Sequence, residues 1–374
     1  MRLLHMADFH LDSAFSGFDK DVADQKREEL RECFVNTLRK AKEEGVSLAL
    51  IAGDLFDTPF CTAQTRRVVW EAIEEFGLPV VIAPGNHDHY IKNGAYADKS
   101  LPENAFVFTS PEMGRFDFDE LGISVLGYAF TSDRYESNPL DQKVPLSLSN
   151  VNILCAHGEL GTGFSKYAPL NANEIASKGF AYAALGHVHI APEPTQIGDC
   201  IIAYCGFPQG RSFDELGEGG SYIVEINDIG YVTECRKISL SKLSYTIDKI
   251  DVTSLGSDEE IIAEIDAHVK KMGYGKDTAL RVELVGAVNS DYTMSISRIT
   301  SASELSHLAM LQIKNKTSAT LGIEYLESDM TIRGEVYRSL LPLLNSADPR
   351  ERECASLALK FALNALDKRE IGIE

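Results

Sequence analysis

Strand-like apolar runs in this chain end repeatedly on short blocks of aspartate and histidine, and this coupling limits its fold more than any other feature. The run Arg2–Ala7 leads into Asp8–Phe9–His10. Leu48–Ala52 leads into Gly53–Asp54–Leu55–Phe56–Asp57, and Val80–Ala83 into Gly85–Asn86–His87–Asp88–His89. Helical periods at Asp21–Glu44 and Ala63–Phe76 lie between them. The spacing therefore predicts an α/β sheet whose chemistry sits in loops at the strand ends. From Ile123 onward helices thin out. Ile123–Phe130, Val151–Ala156, Ala181–Leu185, Cys200–Cys205 and Tyr222–Ile226 read as strands, and a second sheet is expected to pack on the first. Two of these runs also end on histidine, in His157–Gly158 and Gly186–His187–Val188–His189.

Taken singly, the blocks have plain readings: Asp8 and His10 as a turn cap, Gly53–Asp54 as a turn, His157 as a half-buried histidine. The tetrapeptide Gly85–Asn86–His87–Asp88 is harder to dismiss, since average residue usage would produce it in about one chain in a thousand of this length. Together the blocks hold six of the nine histidines. Imidazoles and carboxylates with one Asn carbonyl and no Cys form the mixed nitrogen and oxygen set that suits Mn²⁺, Fe²⁺ or Zn²⁺. Asp-x-His and His-x-His use the two-residue strand period, so both side chains reach one side of a sheet rim. There are ligands enough for two divalent ions, and a shared carboxylate would hold such a pair about 3.5–4 Å apart.

Composition narrows the partners. The net charge of −20 excludes a broadly basic surface for nucleic acid, though not a narrow site that draws phosphate through bound cations. Residues 1–240 carry 20 basic and 35 acidic residues, so most of the acidic excess lies where the ligand blocks are. Seven scattered cysteines without a CxxC pair argue against disulfides or a zinc knuckle and for a reducing, cytoplasmic compartment. No apolar run approaches the roughly 18 residues of a membrane span, and the N-terminus lacks the apolar core of a signal peptide, so no membrane association is expected.

In order and wording these five blocks resemble the calcineurin-like metallophosphoesterases, and within them the SbcD-type nuclease subunit, narrowed to its YhaO-like bacterial branch. The likeness covers residues 1–240, including the segment from Tyr204–Cys205–Gly206 to Arg211 and Ser212–Phe213. It implies a two-sheet αββα sandwich in the α/β class, followed at 241–374 by a smaller α+β capping domain and C-terminal helices. It implies that Asp8, His10, Asp54 and His189 hold one ion. Asp54 would bridge to a second ion completed by Asn86, His157 and His187, with Mn²⁺ the expected metal and Fe²⁺ or Zn²⁺ the alternatives. His87 would face the scissile phosphate as a catalytic donor, with Asp88 orienting and charging it. Where some archaeal relatives place a substrate-positioning histidine after Gly-Asp-Leu-Phe, this chain has Asp57, which could instead brace a ligand. His89 has no assigned role, and no substrate-binding residue is identified.

The function implied is a metal-dependent DNA phosphodiesterase, an exonuclease with endonuclease action as a second mode, working in double-strand-break repair with an SbcC-type coiled-coil ATPase. The alternative is a phosphodiesterase of small molecules or cyclic nucleotides. A protein phosphatase fits less well, because Asp57–Thr58–Pro59 and Asp88 depart from the Gly-Asp-x-Val-Asp-Arg-Gly and Gly-Asn-His-Glu of those enzymes. In the second part, Asp258–Met272 is an amphipathic helix with acids at its start and Lys270–Lys271 at its end, and Leu280–Val288 reads as a strand. Ile332–Leu344 and Arg350–Leu366 are helices divided by the cap pair Asp348–Pro349. They either dock the ATPase or finish the domain's own core. Resemblance also implies a homodimer. The helix carrying Trp70 is one candidate face for it, but could equally pack inward.

Overall fold

Alternation along the first strand sets the layers. In the computed structural model, which describes residues 1–16, 18–253, 255–289, 292–302, 307–320 and 323–366, β1 (Arg2–Met6) sends Leu4 and Met6 to one face of its sheet. Leu3 goes to the other face. The chain then runs α1 (Lys20–Glu43), β2 (Leu48–Ile51), α2 (Ala63–Phe76), β3 (Val80–Ile82), β4 (Ala105–Val107), β5 (Gly114–Phe118), β6 (Ile123–Gly127) and β7 (Val151–His157). It continues through β8 (Glu159–Leu160), β9 (Pro169–Leu170), α3 (Ala172–Ser177), β10 (Tyr182–Gly186), β11 (Thr195–Ile197), β12 (Cys200–Tyr204), β13 (Ser221–Ile226) and β14 (Val232–Ile238).

Two six-stranded sheets result, in the orders β14-β13-β1-β2-β3-β4 and β11-β12-β10-β7-β6-β5. In the first, β1 to β4 are parallel and β13 and β14 close one edge antiparallel. In the second, β6, β7, β10 and β12 are parallel between antiparallel edges β5 and β11. Leu3, Leu50 and Val81 meet Val125, Ile153, Cys155 and Ala184 between the sheets. On the outer face of the first sheet, Leu4, Met6, Ile51 and Ile82 are covered by Phe34 and Leu38 of α1 and Val69, Trp70 and Ile73 of α2. Leu126, Leu154, Ala183 and Leu185 pack with Ile175 of α3 and Leu140 outside the second. This is the expected two-sheet αββα arrangement. Because consecutive parallel strands run the same way, their C-terminal ends, and the loops that follow, gather at one rim.

The chain divides into two compact units, Met1–Thr246 with Lys276–Ala279, and Ile247–Gly275 with Leu280–Glu374. The second unit is smaller and mixes helix and strand. Its elements follow β15 (Ser244–Asp251): α4 (Asp258–Met272), β16 (Thr278–Val285), β17 (Ala287–Asn289), α5 (Ile296–Ala302), β18 (Met310–Asn315), β19 (Ser318–Thr320), α6 (Ile323–Ser328), α7 (Ile332–Leu344) and α8 (Pro349–Leu366). Strands β15, β16 and β18 form a sheet on which α4 buries Ile261, Ile265 and Val269. Ser257 caps that helix by accepting the Glu260 N–H, and Gly273 ends it in the left-handed conformation. The single strand expected over Leu280–Val288 is two strands: Gly286, with φ of 96°, breaks the run, and β17 pairs with β19 instead. Tyr337 of α7 packs with Leu359 and Leu363 of α8. No helix among the described residues is long and apolar enough to cross a membrane.

Candidate metal centre

The loops after β1 and β2 stay paired beyond the strands. Asp8 N–H donates to the Gly53 carbonyl (3.1 Å), His10 N–H to Asp54 (2.9 Å), Leu11 N–H to Leu55 (2.9 Å), and Asp57 N–H back to Leu11 (2.9 Å). Within that ladder Asp8, His10 and Asp54 have φ of 54°, 44° and 49°, and His187 at the end of β10 has 109°. Such conformations cost non-glycine residues about 1–3 kcal/mol each and persist where surrounding structure imposes them, typically at functional sites. Gly53, at φ 90°, is required on two grounds. Its backbone is left-handed, and a Cβ would lie 2.3 Å from Nδ1 of His157.

The side chains converge. Asp8, His10 and His189 offer ligand atoms within 4.8 Å of one another, as do Asp8, Asp54 and His157, and His10, Asp54 and His87. Asp54 occupies the middle: its Oδ2 lies 3.3 Å from Nε2 of His157 and 3.6 Å from Nε2 of His10, while its Oδ1 accepts the His87 backbone N–H at 2.9 Å. Asn86 brings its Oδ1 to 3.0 Å from the same His157 Nε2. His187 joins by its ring, 5.2 Å from that of His157 and 4.6 Å from that of Tyr167, and gives its backbone N–H to both oxygens of Asp8 at 3.2 and 3.1 Å. All seven expected ligands thus lie in one cluster, although Asn86 and His187 are outside those three groups.

The outer nitrogens explain how the inner ones are aimed. Nδ1 of His157 donates to the Ala52 carbonyl at 2.9 Å. Nδ1 of His10 is held by Asp57 at 3.1 Å, and Nδ1 of His189 by Glu215 at 2.9 Å. With Nδ1–H engaged, each imidazole turns the Nε2 lone pair inward, the tautomer a metal ligand needs. Those lone pairs then face the oxygens of Asp8, Asp54 and Asn86 at 3.0–3.9 Å. Lone pairs opposed in a buried space require cations between them, or protons in their place. The donor set and its aim fit two divalent ions of the Mn²⁺, Fe²⁺ or Zn²⁺ class.

Electrostatics without an ion shows the same demand. Burial, aided by the neighbouring Asp54 charge, pushes Asp8 up to about 6. Burial opposes charge on His157, yet Asp54 beside it lifts its pKa to about 9. Burial likewise disfavours ionised Asp54, and the surrounding imidazoles, His157 foremost, overcome this and hold it well below the usual carboxylate range. Burial lowers both His10 and His187 to about 4.

Two catalytic expectations fare differently. His87 stands half exposed at the rim, its ring 4.6 Å from that of His10, and its Nδ1 donates to the Asp57 carbonyl at 3.3 Å. Asp88 does not orient it. That carboxylate is fully buried and accepts the backbone N–H groups of Gly85 (2.7 Å), Asp54 (3.2 Å) and Phe56 (3.2 Å) and the hydroxyl of Tyr96. The carboxylate nearest the His87 ring nitrogen is that of Asp57, at 3.9 Å. His89 braces the loop by donating from Nδ1 to the Asn86 carbonyl at 3.1 Å. Sequence reasoning missed Glu215, which packs beneath His189.

The family model described as calcineurin-like phosphoesterase matches residues 1–191. The chain is 28% identical over 244 residues to the protein named uncharacterized metallophosphoesterase YhaO of Bacillus subtilis strain 168, covering 62% of this chain. It spans 59% of the length of that relative. Among solved structures, a dimetal phosphatase of Danio rerio is similar at 10% identity and a TM-score of 0.39, covering 64% of this chain and 98% of the other. A zinc-complexed Vps29 of Entamoeba histolytica is similar at 11% identity and a TM-score of 0.30, with the same coverage.

Proposed function

Because the chain belongs to the calcineurin-like phosphoesterase family, we propose that it is a two-metal phosphodiesterase whose substrate is DNA. The observation that carries the phosphodiester reading is the inward aim of His10, His157 and His189 around Asp54, with His87 open to solvent beside them. In this reading Asp8, His10, Asp54 and His189 hold one ion, and Asp54, Asn86, His157 and His187 the other. Two such ions, expected as Mn²⁺, would supply Lewis-acid charge to a phosphoryl oxygen and lower the pKa of water.

The chain's own residues do the rest. Asp54 lies between the two histidine groups and can serve both. His87 spends its Nδ1–H on the Asp57 carbonyl, so Nε2 is the nitrogen left to meet a phosphodiester. A proton carried there, with the Asp57 carboxylate 3.9 Å from the opposite ring nitrogen Nδ1, is available to the leaving oxygen. Asp88 acts at one remove, by fixing the loops that present Asp54 and His87.

DNA as substrate, repair of double-strand breaks as the setting and an SbcC-type ATPase as partner are supported by the likeness of the five blocks to SbcD-type nucleases, and a cytoplasmic location by the free, scattered cysteines. Exposed Ile332, Leu343 and Leu357 on α7 and α8 suit a docking element for that partner. The test is hydrolysis of end-labelled linear DNA with Mn²⁺, beside bis-p-nitrophenyl phosphate and a cyclic nucleotide, with His87→Ala as control. Stepwise nucleotide release that vanishes in the variant is the expected result. Cleavage of the small diesters with DNA left intact would move the substrate to small molecules.

A further inference from the structure

The two groups of ligand histidines are backed differently. His157 leans on a neutral backbone oxygen, the carbonyl of Ala52. His10 and His189 lean on carboxylates, Asp57 and Glu215, and both carboxylates neighbour one guanidinium. Nε of Arg211 donates to both oxygens of Glu215 at 3.1 and 3.2 Å, its Nη2 pairs with Oε1, and its backbone N–H reaches Oε2 at 2.8 Å. Nη1 lies 3.7 Å from Asp57 and donates at 3.1 Å to Oγ of Ser13, whose own hydroxyl donates to the His10 carbonyl at 2.7 Å. Glu215 is almost wholly buried, and its position is therefore fixed by these bonds rather than by solvent.

We propose that Arg211 and Glu215 are positioning residues that make the Asp8, His10 and His189 side the tighter of two cation sites, so that it fills first. A charged acceptor behind an imidazole makes it a stronger donor than a neutral carbonyl does, and such outer partners typically contribute 10- to 100-fold in metal affinity. The Arg211 fork holds Glu215 in one orientation and neutralises part of the charge that two carboxylates would otherwise accumulate. The proposal rests on His10 and His189 being ligands of one ion. Both Arg211 and Glu215 lie beyond the residues the family model matches.

The experiment is equilibrium titration of the chelator-stripped full chain with Mn²⁺, free ion being followed by electron paramagnetic resonance. The wild type should show two resolvable steps. Glu215→Gln should weaken the tighter step by about 10- to 100-fold and leave the weaker one essentially in place. Arg211→Lys, which keeps the charge and loses the fork, should weaken the same step. Thermal unfolding of each variant checks that it folds, and Asp57→Asn, which removes the other carboxylate backing, replaces any that does not. A tighter step unchanged in these variants, or both steps weakened alike, overturns the proposal. Wild-type protein that binds no Mn²⁺ specifically overturns the ligand assignment itself.

Discussion

The carboxylate of Asp88 accepts the backbone N–H of Asp54 at 3.2 Å, so an acid with no exposed surface fixes the backbone of the residue at the middle of the metal centre. It also holds Gly85, Phe56 and Tyr96, and thereby ties the loop after β2 to the loop after β3. Asp88→Ala leaves these buried donors without their acceptor, at about 1–3 kcal/mol for each one that finds no substitute. The expected outcome is a clearly lowered melting temperature together with weakened Mn²⁺ binding. A melting temperature equal to wild type would remove the clamp interpretation.

His87 behaves in the opposite way. Its side chain is 47% exposed, and its ring hydrogen bond to the Asp57 carbonyl is at the surface, so truncation should change stability by no more than about 0.5 kcal/mol. Loss of a positioned acid at the leaving oxygen should nevertheless lower phosphodiester hydrolysis by roughly 10²- to 10⁴-fold. Parallel thermal unfolding and bis-p-nitrophenyl phosphate assays of His87→Ala separate the two effects. Unchanged hydrolysis would remove His87 from the reaction.

The contrast between Asp88 and His87 shows how far the sequence could be read. The ligand blocks were legible because each follows an apolar run, and a run's end is where a sheet displays its loops. Helices α2 and α4 were legible to the residue because each has a cap on either side, Thr62 and Gly77 for one, Ser257 and Gly273 for the other. Strands β4 and β5 were not: one is three residues long, and the other alternates Phe with Arg and Asp near a sheet edge. The direction of Asp88 was not legible either. Adjacent residues in an irregular loop diverge, and only tertiary hydrogen bonds decide which of the two faces the rim. Glu215 lies far from His189 in sequence, and no local pattern announces their contact.

Between the sheets, Nδ1 of His5 accepts from the Tyr182 hydroxyl at 2.8 Å and its Nε2 donates to the Leu185 carbonyl at 3.1 Å. A neutral ring is thus satisfied on both sides, and burial lowers its pKa from 6.5 to about 3. The unfolded chain takes up a proton near pH 6.5 and the folded chain does not, so unfolding binds protons and stability rises with pH in this window. The contribution is present above pH 6.5 and is lost as pH falls toward 3, on the order of 5 kcal/mol in total. Denaturant unfolding of wild type and His5→Gln across that range tests it. The difference in pH slope between the two isolates His5 from other titrating groups, and identical slopes would contradict the assignment.

The final prediction concerns charge. Affinity for DNA that is independent of sequence comes mainly from lysine and arginine neutralising phosphates, and this chain carries −20 with its basic residues scattered. Arg66 is engaged by Asp98, and Arg67 lies on the exposed face of α2 beside Glu71, so this short basic pair is partly compensated where it stands. The isolated chain is therefore expected to bind duplex DNA more weakly than about micromolar at physiological salt, in the range of non-specific binding or below it. Divalent ions at the centre should strengthen binding locally without giving the steep salt dependence of a basic groove. Fluorescence anisotropy of a labelled duplex, titrated at several salt concentrations with and without Mn²⁺, measures both terms. A nanomolar complex formed by this chain alone would mean that a phosphate-binding surface exists which the charge distribution conceals. Weak binding rescued by a basic coiled-coil ATPase would place that surface on the partner.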